Sequence, residues 1–150
     1  MQDTINISCP VSAERINENA ARAAAFFTIV IAAAGMLLNS YIIIILLASD
    51  FALRAFTQGK ASPVKLLAKQ VVQLLKIKEK SVDAAPKKFA AGVGMVFCLG
   101  IAAFQLAGLY IAANITGGVL LFCALLEGGA GICLGCIAYT LLIVPFNKQK

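Results

Sequence analysis

Two long apolar blocks dominate the sequence, and a lysine-rich stretch separates them. The first block runs from Ala20 to about Phe56 and the second from Phe89 to Phe146. A helix rises about 1.5 Å per residue, so each block exceeds one crossing of a hydrocarbon layer about 30 Å thick. Only 13% of the residues are charged, whereas soluble domains carry about 25%. We therefore predict an all-α, polytopic integral membrane bundle.

A polar break divides the first block. Asn39-Ser40 interrupts it near its centre, and such residues favour turns over helix interiors. We predict a helical hairpin with one span near 20–38 and a second near 41–56. A single tilted helix over the whole block is the alternative.

The second block is long enough for two further spans and a remainder. A break around Ala107-Gly108 separates spans that we predict near 89–107 and 109–128. The sequence therefore predicts about four transmembrane spans, arranged as two hairpins.

Glycines at 128–131 mark the predicted end of the fourth span. Residues 133–146 would then form a further helix that is too short to cross comfortably. Alternatively, one long helix over 117–144 makes the last crossing, and the glycines form a close-packing seam within it.

The middle of the chain is strongly basic. Eight of the thirteen Lys and Arg residues lie within 57–88, and cytoplasmic loops of membrane proteins are enriched in these residues. We expect a multi-pass membrane protein with a cytoplasmic N-terminus. The lysines flank apolar spans and lack interleaved aromatic residues, which argues against a nucleic-acid partner. The predicted single membrane domain, 1–150, has four parts: a polar N-terminal segment (1–19), a first hairpin (20–56), a basic loop (57–88), and a second hairpin with a C-terminal helix (89–150).

A basic amphipathic helix is predicted within this loop, over 62–77. Ser62 is a suitable cap, and Pro63 suits the first helical position. The apolar face would carry Val64, Leu67, Ala68, Val71, Leu74 and Leu75, and the polar face Lys65, Lys69, Gln73 and Lys76. Such a helix either lies on an anionic membrane surface or packs on its own protein.

Cysteines are the most distinctive candidates for chemistry. The chain has no histidine, which excludes Ser/His/Asp and Cys/His catalysis. Cys133 and Cys136 form a CxxC motif after the glycines, where the start of a helix favours a thiolate. We predict Cys133 as the attacking thiol and Cys136 as its resolving partner. Two remaining cysteines, Cys98 and Cys123, fall inside predicted spans and are interpreted as packing residues.

A third thiol joins this pair in the prediction. With four crossings, Cys9 lies on the same cytoplasmic face as Cys133 and Cys136. Cys9 would then exchange with the pair. Alternatively, the three thiolates would hold a soft metal ion.

Three charged residues in or near the spans complete the candidate site. Asp50 and Arg54 are four residues apart, so they share a helix face and can pair or steady an anion. Glu127 lies at the predicted cytoplasmic end of the fourth span and would transfer protons to or from the thiols. Ionisable residues at membrane depth are costly and are often functional.

Four segments resemble a family of small bacterial integral membrane proteins catalogued as domain of unknown function 4395. They are CPVSAERINEN, DFALRAF, PKKFAAGVG and ALLEGGAGICLGCIAY. The resemblance implies a multi-span fold in the bacterial inner membrane and an association with thioredoxin-like and rhodanese-like sulfur metabolism. It does not supply an activity. The motif positions that it singles out are Cys9, Asp50, Arg54, Glu127, Cys133 and Cys136.

We therefore expect thiol–disulfide or sulfur-transfer chemistry at the cytoplasmic face, with a soluble thioredoxin-like or rhodanese-like partner. Transport or binding of a thiophilic metal ion or sulfur species is the alternative, and a structural membrane subunit without chemistry is a third. Enzymatic and non-enzymatic functions both remain open at this point, and no cofactor is identified. Four short spans enclose no wide pore, which favours a homodimer.

Overall fold

The computed structural model describes residues 15–57, 60–78, 80–132, 134–143 and 145. Within them the fold is all-α, with one short two-stranded ribbon. The helices are α1 (Glu18–Leu37), α2 (Tyr41–Phe56), α3 (Pro63–Leu74), α4 (Ala84–Leu106), α5 (Tyr110–Leu125) and α6 (Leu134–Leu142). A π-helical segment, Leu126–Ala130, continues α5, and the strands are β1 (Arg15–Asn17) and β2 (Ser81–Asp83).

The first apolar block folds into two helices. α1 ends at Leu37, and Asn39 takes a positive φ of 47° before α2 begins at Tyr41. Asparagine tolerates this left-handed conformation better than most residues, because its short polar side chain bonds locally. The alternative of one tilted helix over 20–56 is therefore wrong.

The second apolar block breaks at the predicted glycine. Gly108 takes a φ of 74° between α4 and α5, which confirms the break near Ala107-Gly108. At the far end of the π segment Gly131 has a φ of 69°, and α6 follows from Leu134. The alternative prediction of a single helix over 117–144 is therefore wrong, because the left-handed conformation of Gly131 ends the helix there.

Three helical stretches in the described part of the chain are long and apolar enough to cross a membrane: Glu18–Leu37, Pro86–Leu106 and Tyr110–Ala130. Their outer faces carry large apolar side chains that nothing in the bundle covers. On α5, Ile111 is 79% exposed and Phe122 is 60% exposed. Contiguous exposed apolar surface of this kind marks contact with another apolar phase.

The core lies where α2 packs against α4, with α1 and α5 alongside. Ile44, Leu47 and Ile101 are almost completely buried there. Close packing depends on small residues opposite large ones. A Cβ added at Gly94 of α4 would lie 2.8 Å from the ring of Phe51, so the two helices meet face to face at this point.

A ribbon that the sequence did not predict joins the beginnings of α1 and α4. β1 pairs antiparallel with β2, with Ile16 opposite Val82. The Glu18 backbone N–H donates to the Lys80 carbonyl at 2.7 Å, and the Asn19 side chain donates to the Lys78 carbonyl at 2.6 Å. The two helices therefore begin at the same end of the bundle.

The predicted cap of the amphipathic helix is confirmed. The Ser62 side chain accepts from the Lys65 backbone N–H, and Pro63 is the first residue of α3. The predicted apolar face is partly wrong. Val64, Ala68 and Val72 form the buried stripe, packed against α1 around Ala24. Three members of the predicted face are exposed instead: Leu67 (51%), Leu74 (81%) and Leu75 (64%). α1 covers only a narrow stripe of α3, and α2 contacts only its start, so the remaining leucines face outwards.

Candidate functional site

An ion pair between Asp50 and Arg54 lies near the end of α2. Arg54 Nη2 and Asp50 Oδ2 are 2.5 Å apart, and the two side chains are 14% and 5% exposed. The two residues lie one turn apart on α2, which brings the side chains together.

The same carboxylate anchors the start of α3. Asp50 Oδ1 accepts from the Ser62 hydroxyl at 2.5 Å and from the Val64 backbone N–H at 3.3 Å. Arg54 Nε donates to the Ser62 oxygen at 3.3 Å. Ser62 is completely buried. A carboxylate at a helix N-terminus is stabilised by the unpaired N–H groups there, so Asp50 ties α2 to α3. Sequence reasoning treated Ser62 as a cap only and missed its bond to Asp50.

A second carboxylate faces the same region from the π segment. Glu127 Oε1 lies 3.9 Å from Lys87 Nζ of α4, and the side chains are 29% and 16% exposed. The π segment widens the helix by one residue at this point, a feature that recurs at functional sites. Sequence reasoning selected Glu127 but missed Lys87. The lysine is a long way from Glu127 in the chain, and only the packing of α4 against α5 brings them together.

Two adjoining cavities connect these groups. The first, of about 90 Å³, is lined by apolar residues and by five charged side chains: Arg54, Lys65, Lys87, Lys88 and Glu127. The second, of about 270 Å³, is mostly apolar and is lined by residues of α1, α2, α4, α5 and α6, among them Thr28, Cys123 and Leu134. Both cavities share Phe51, Arg54, Ala90 and Glu127 as lining residues.

The cysteines are distributed unevenly between core, cavity and terminal helix. Cys98 is completely buried in the core, Cys123 lines the larger cavity, and Cys136 lies half-buried on α6. Cys9 and Cys133 lie outside the described residues, so the predicted gathering of three thiols stays a prediction. Among the described side chains, no three His, Cys, Asp or Glu residues are grouped so as to hold a metal ion.

Two glycines, one just before the CxxC motif and one within it, are required by close contacts. Gly131 has a positive φ, and the Arg22 guanidinium occupies the space that a Cβ would need. Arg22 in turn pairs with Glu18 at 3.1 Å. On α6, a Cβ at Gly135 would lie 2.7 Å from the Ala90 Cα. Both glycines therefore hold the start of α6 tightly against α1 and α4.

One aromatic contact extends this packing along α6. The rings of Phe89 and Tyr139 lie 5.7 Å apart between centroids, in a tilted arrangement. Together with Gly135 this contact keeps α6 beside α4, so the first turn of α6 forms part of the wall of the larger cavity.

The three apolar helices of spanning length and their uncovered apolar faces define a membrane-associated helical protein. The particular family follows from a comparison with family models. The chain belongs to the family described as Domain of unknown function (DUF4395), whose model matches residues 16–143. No curated protein and no solved structure matches the chain.

Proposed function

We propose that the chain is a four-span membrane protein that carries out thiol–disulfide exchange or sulfur transfer through Cys133 and Cys136. One observation carries this proposal. The first turn of α6, which holds the second half of the CxxC motif, lines a cavity together with Arg54 and Glu127. Ionisable groups close to this turn are surroundings of the kind that tune the reactivity of a thiol.

The positions of the helix ends support the proposal of four crossings. β1 directly precedes α1, and β2 directly precedes α4, so their pairing brings both helix starts to one end of the bundle. A chain that crosses the membrane along α1 must return before it reaches β2. α2 supplies this return, since it follows α1 after a turn and packs against α4.

The second pair of helices returns in the same way. The contact between Lys87 and Glu127 brings the end of the α5 helical stretch back to the start of α4. The Arg22 guanidinium beside Gly131 gives the same relation to α1. The start of α6 is therefore at the end of the bundle where α1 and α4 begin.

α2 is short for a membrane span. Its 16 residues cover about 24 Å at 1.5 Å per residue, against a hydrocarbon layer of about 30 Å. A shorter span is accommodated by local thinning of the bilayer. α3, with its exposed leucines and lysines, lies beside α1 next to this thinned region and is suited to the interface between lipid and water.

We place the lysine-rich end in the cytoplasm of a bacterial cell, following the enrichment of Lys and Arg in cytoplasmic loops. Cys136 provides the test of this orientation. A membrane-impermeant maleimide should label Cys136 in inside-out vesicles and leave it unlabelled in intact spheroplasts. Labelling from the outside would reverse the proposed orientation.

Thiol–disulfide exchange with a thioredoxin-like partner that carries a disulfide has two steps. The Cys133 thiolate attacks one partner sulfur, forms a mixed disulfide and releases the other partner sulfur as a thiolate. Cys136 loses its proton to Glu127 and attacks the Cys133 sulfur, which releases the second partner thiolate. The partner disulfide is reduced and the CxxC pair is oxidised, so two electrons move to the partner.

A rhodanese-like partner would transfer sulfur by the same nucleophile. The Cys133 thiolate attacks the outer sulfur of the partner persulfide, becomes a persulfide and releases the partner thiolate. Cys9 is proposed as the third thiol, which receives the sulfur or resolves the pair.

Transport of a sulfur species or a thiophilic metal ion is the second candidate. The position of Cys123 on the wall of the larger cavity favours it, since this thiol lies between the helices at a depth that the CxxC motif does not occupy. Proteoliposomes loaded with a thiophilic-metal or thiosulfate reporter distinguish the two. Uptake that is lost in Cys123→Ala and kept in Cys133→Ser would favour transport over exchange.

Trapping of the mixed disulfide tests the leading proposal. The reduced protein in nanodiscs is mixed with a purified, oxidised thioredoxin. Cys136→Ser should accumulate the mixed disulfide, Cys133→Ser should form none, and Cys98→Ala, a change in the buried core, should behave as the unchanged protein. Exchange at an undiminished rate in Cys133→Ser would overturn the proposed role of the motif.

A further inference from the structure

The larger cavity is suited to an uncharged, mostly apolar molecule. Two aromatic side chains, Phe51 and Phe97, line it, and most of the remaining wall is aliphatic. Among the described residues, the charged side chains on this wall are Arg54 and Glu127, which carry opposite charges. A further charge enclosed beside them would be costly unless it were paired, so an uncharged occupant is favoured.

The two charged side chains offer a hydrogen-bond donor and an acceptor on the same wall. A guanidinium has five N–H donors, and Arg54 directs Nε to Ser62 and Nη2 to Asp50. Glu127 Oε1 lies 3.9 Å from Lys87 Nζ, which is longer than a hydrogen bond. A carboxylate has about four acceptor sites. A carbonyl oxygen in the cavity can therefore accept from Arg54, and a hydroxyl group can donate to Glu127.

The volume of the cavity fits a substituted ring. It measures about 270 Å³, and a dry apolar cavity of about 150 Å³ is enough to hold benzene. An apolar space of this size is destabilising when it is empty, because the side chains around it lose packing contacts. A ring with several substituents would restore these contacts.

The position of the cavity connects it both to lipid and to the CxxC motif. α1, α4 and α5, which supply most of its wall, contain the three helical stretches of spanning length. A lipid-soluble occupant is therefore suited to this site. Leu134 and Gly135, the two residues between Cys133 and Cys136, also line it, so an occupant would contact the turn that carries the motif.

We propose that the larger cavity binds the ring of a lipid-soluble quinone, with a ring oxygen against Arg54 and Glu127. A quinone is uncharged in both of its stable redox states. The oxidised ring presents carbonyl oxygens, which accept from Arg54, and the hydroquinone presents hydroxyl groups, which donate to Glu127. A plain hydrocarbon chain would make neither hydrogen bond.

The quinone accepts electrons from the thiol pair, a step that rests on the proposed function. Two S–H bonds break, and an S–S bond forms between Cys133 and Cys136. The two electrons and two protons released convert the quinone to hydroquinone, in which two O–H bonds form. Since thiol–disulfide exchange is reversible, a reduced thioredoxin-like partner returns the pair to its dithiol state.

The chain offers matched variants for the binding test. Ala138→Leu and Val93→Phe add side-chain volume at two positions that line the cavity. Ala103→Leu adds the same volume as Ala138→Leu, but on the exposed face of α4 and outside the cavity lining. The two ligands are a decyl benzoquinone with a fully substituted ring, to which thiols do not add, and decylbenzene, which lacks the oxygens.

Binding is measured by calorimetry on the protein in nanodiscs, and the signal of empty nanodiscs is subtracted to remove partition into lipid. The two cavity-filling variants should weaken quinone binding by about tenfold or more, and Ala103→Leu should leave it unchanged. Decylbenzene should bind about tenfold more weakly than the quinone, because it forms no hydrogen bond to the charged side chains.

Saturable quinone binding with this pattern of variants and ligands supports the site. Absence of saturable quinone binding, an equal affinity for decylbenzene, or an unchanged affinity in the cavity-filling variants overturns it. If Val93→Phe elutes as aggregate, the comparison of Ala138→Leu with Ala103→Leu decides the outcome.

A double variant, Cys133→Ser with Cys136→Ser, separates this site from the proposed thiol chemistry. It should bind the quinone as tightly as the unchanged protein and should not reduce it, whereas the reduced unchanged protein should bleach the quinone absorbance. Quinone reduction at an equal rate by the double variant overturns the electron-transfer step. Quinone binding without a trapped mixed disulfide removes the exchange and keeps the site, and a trapped mixed disulfide without quinone binding removes the site and keeps the exchange.

Discussion

Asp50→Asn removes one negative charge and almost no volume from a buried junction between α2 and α3. The amide oxygen can still accept from Ser62 and Val64, as the carboxylate does. The charge that balances Arg54 is lost, and that side chain is only 14% exposed. Removing one partner of a buried ion pair leaves the other charge buried and uncompensated, which lowers the free energy of unfolding by about 3–5 kcal/mol.

Two further variants calibrate this value. Ser62→Ala removes one hydrogen bond to the carboxylate and should cost about 1.5–3 kcal/mol. Ser49→Ala, next to Asp50 on an exposed face, removes a bond to the Ile45 carbonyl and should stay within about 0.5 kcal/mol of the unchanged protein.

The buried thiol of Cys98 gives a direct readout of unfolding. Accessible thiols are first blocked in the folded state, and the detergent is then exchanged stepwise for dodecyl sulfate. A fluorogenic maleimide reports the exposure of Cys98, which is completely buried in the bundle. The proportion of dodecyl sulfate at which half of Cys98 is labelled should be highest for Ser49→Ala, lower for Ser62→Ala and lowest for Asp50→Asn.

A double variant completes the test. Asp50→Asn with Arg54→Leu removes both charges, so its cost should be smaller than the sum of the two single variants. Additive costs, or an Asp50→Asn midpoint equal to that of Ser49→Ala, would show that the pair does not couple α2 to α3.

The remaining predictions concern glycines and the ribbon. Gly131→Ala should destabilise the protein by about 1–2 kcal/mol, the cost of a left-handed residue with a Cβ, and the same unfolding assay should show no loss for Gly129→Ala, where a Cβ meets open space. Gly135→Val should separate α6 from α4, because a Cβ at this position would lie 2.5 Å from the Ala90 Cβ and 2.7 Å from the backbone Cα of the same residue. Faster maleimide labelling of Cys136 than in Gly118→Val would report this separation, and equal rates would contradict it. Glu18→Gln removes the carboxylate that pairs with Lys80 across the start of α1, and it should speed hydrogen exchange of the β1 and β2 amides, measured by mass spectrometry.

The sequence predicted helix boundaries well where a turn or cap residue marks them. Asn39, Ser62 and Gly108 each mark a boundary that the structure retains, because turns and caps depend on neighbouring residues. The apolar blocks predicted about four spans, and three helical stretches in the described part of the chain have spanning length. Such signals are local, and the helices follow from them.

Non-local contacts were largely missed. Nothing in β1 or β2 alone signals pairing, since each is only three residues long. The Lys87 partner of Glu127 and the Ser62 partner of Asp50 depend on which helices pack together. Leu67 is exposed because α1 covers only a narrow stripe of α3. These features depend on tertiary packing, and the hydrophobic periodicity of one segment does not predict which helices pack together.

The pairing of β1 with β2 also has a consequence for biosynthesis. β1 is made early, but its partner strand is synthesised only after α1, α2 and α3, and translation at about 5–20 residues per second makes this delay several seconds. Until α4 is made, β1 has no partner strand, and the Glu18 backbone N–H lacks the Lys80 carbonyl to which it donates in the folded chain. The pairing therefore forms after the first three helices have been made, and it brings the start of α1 to the start of α4.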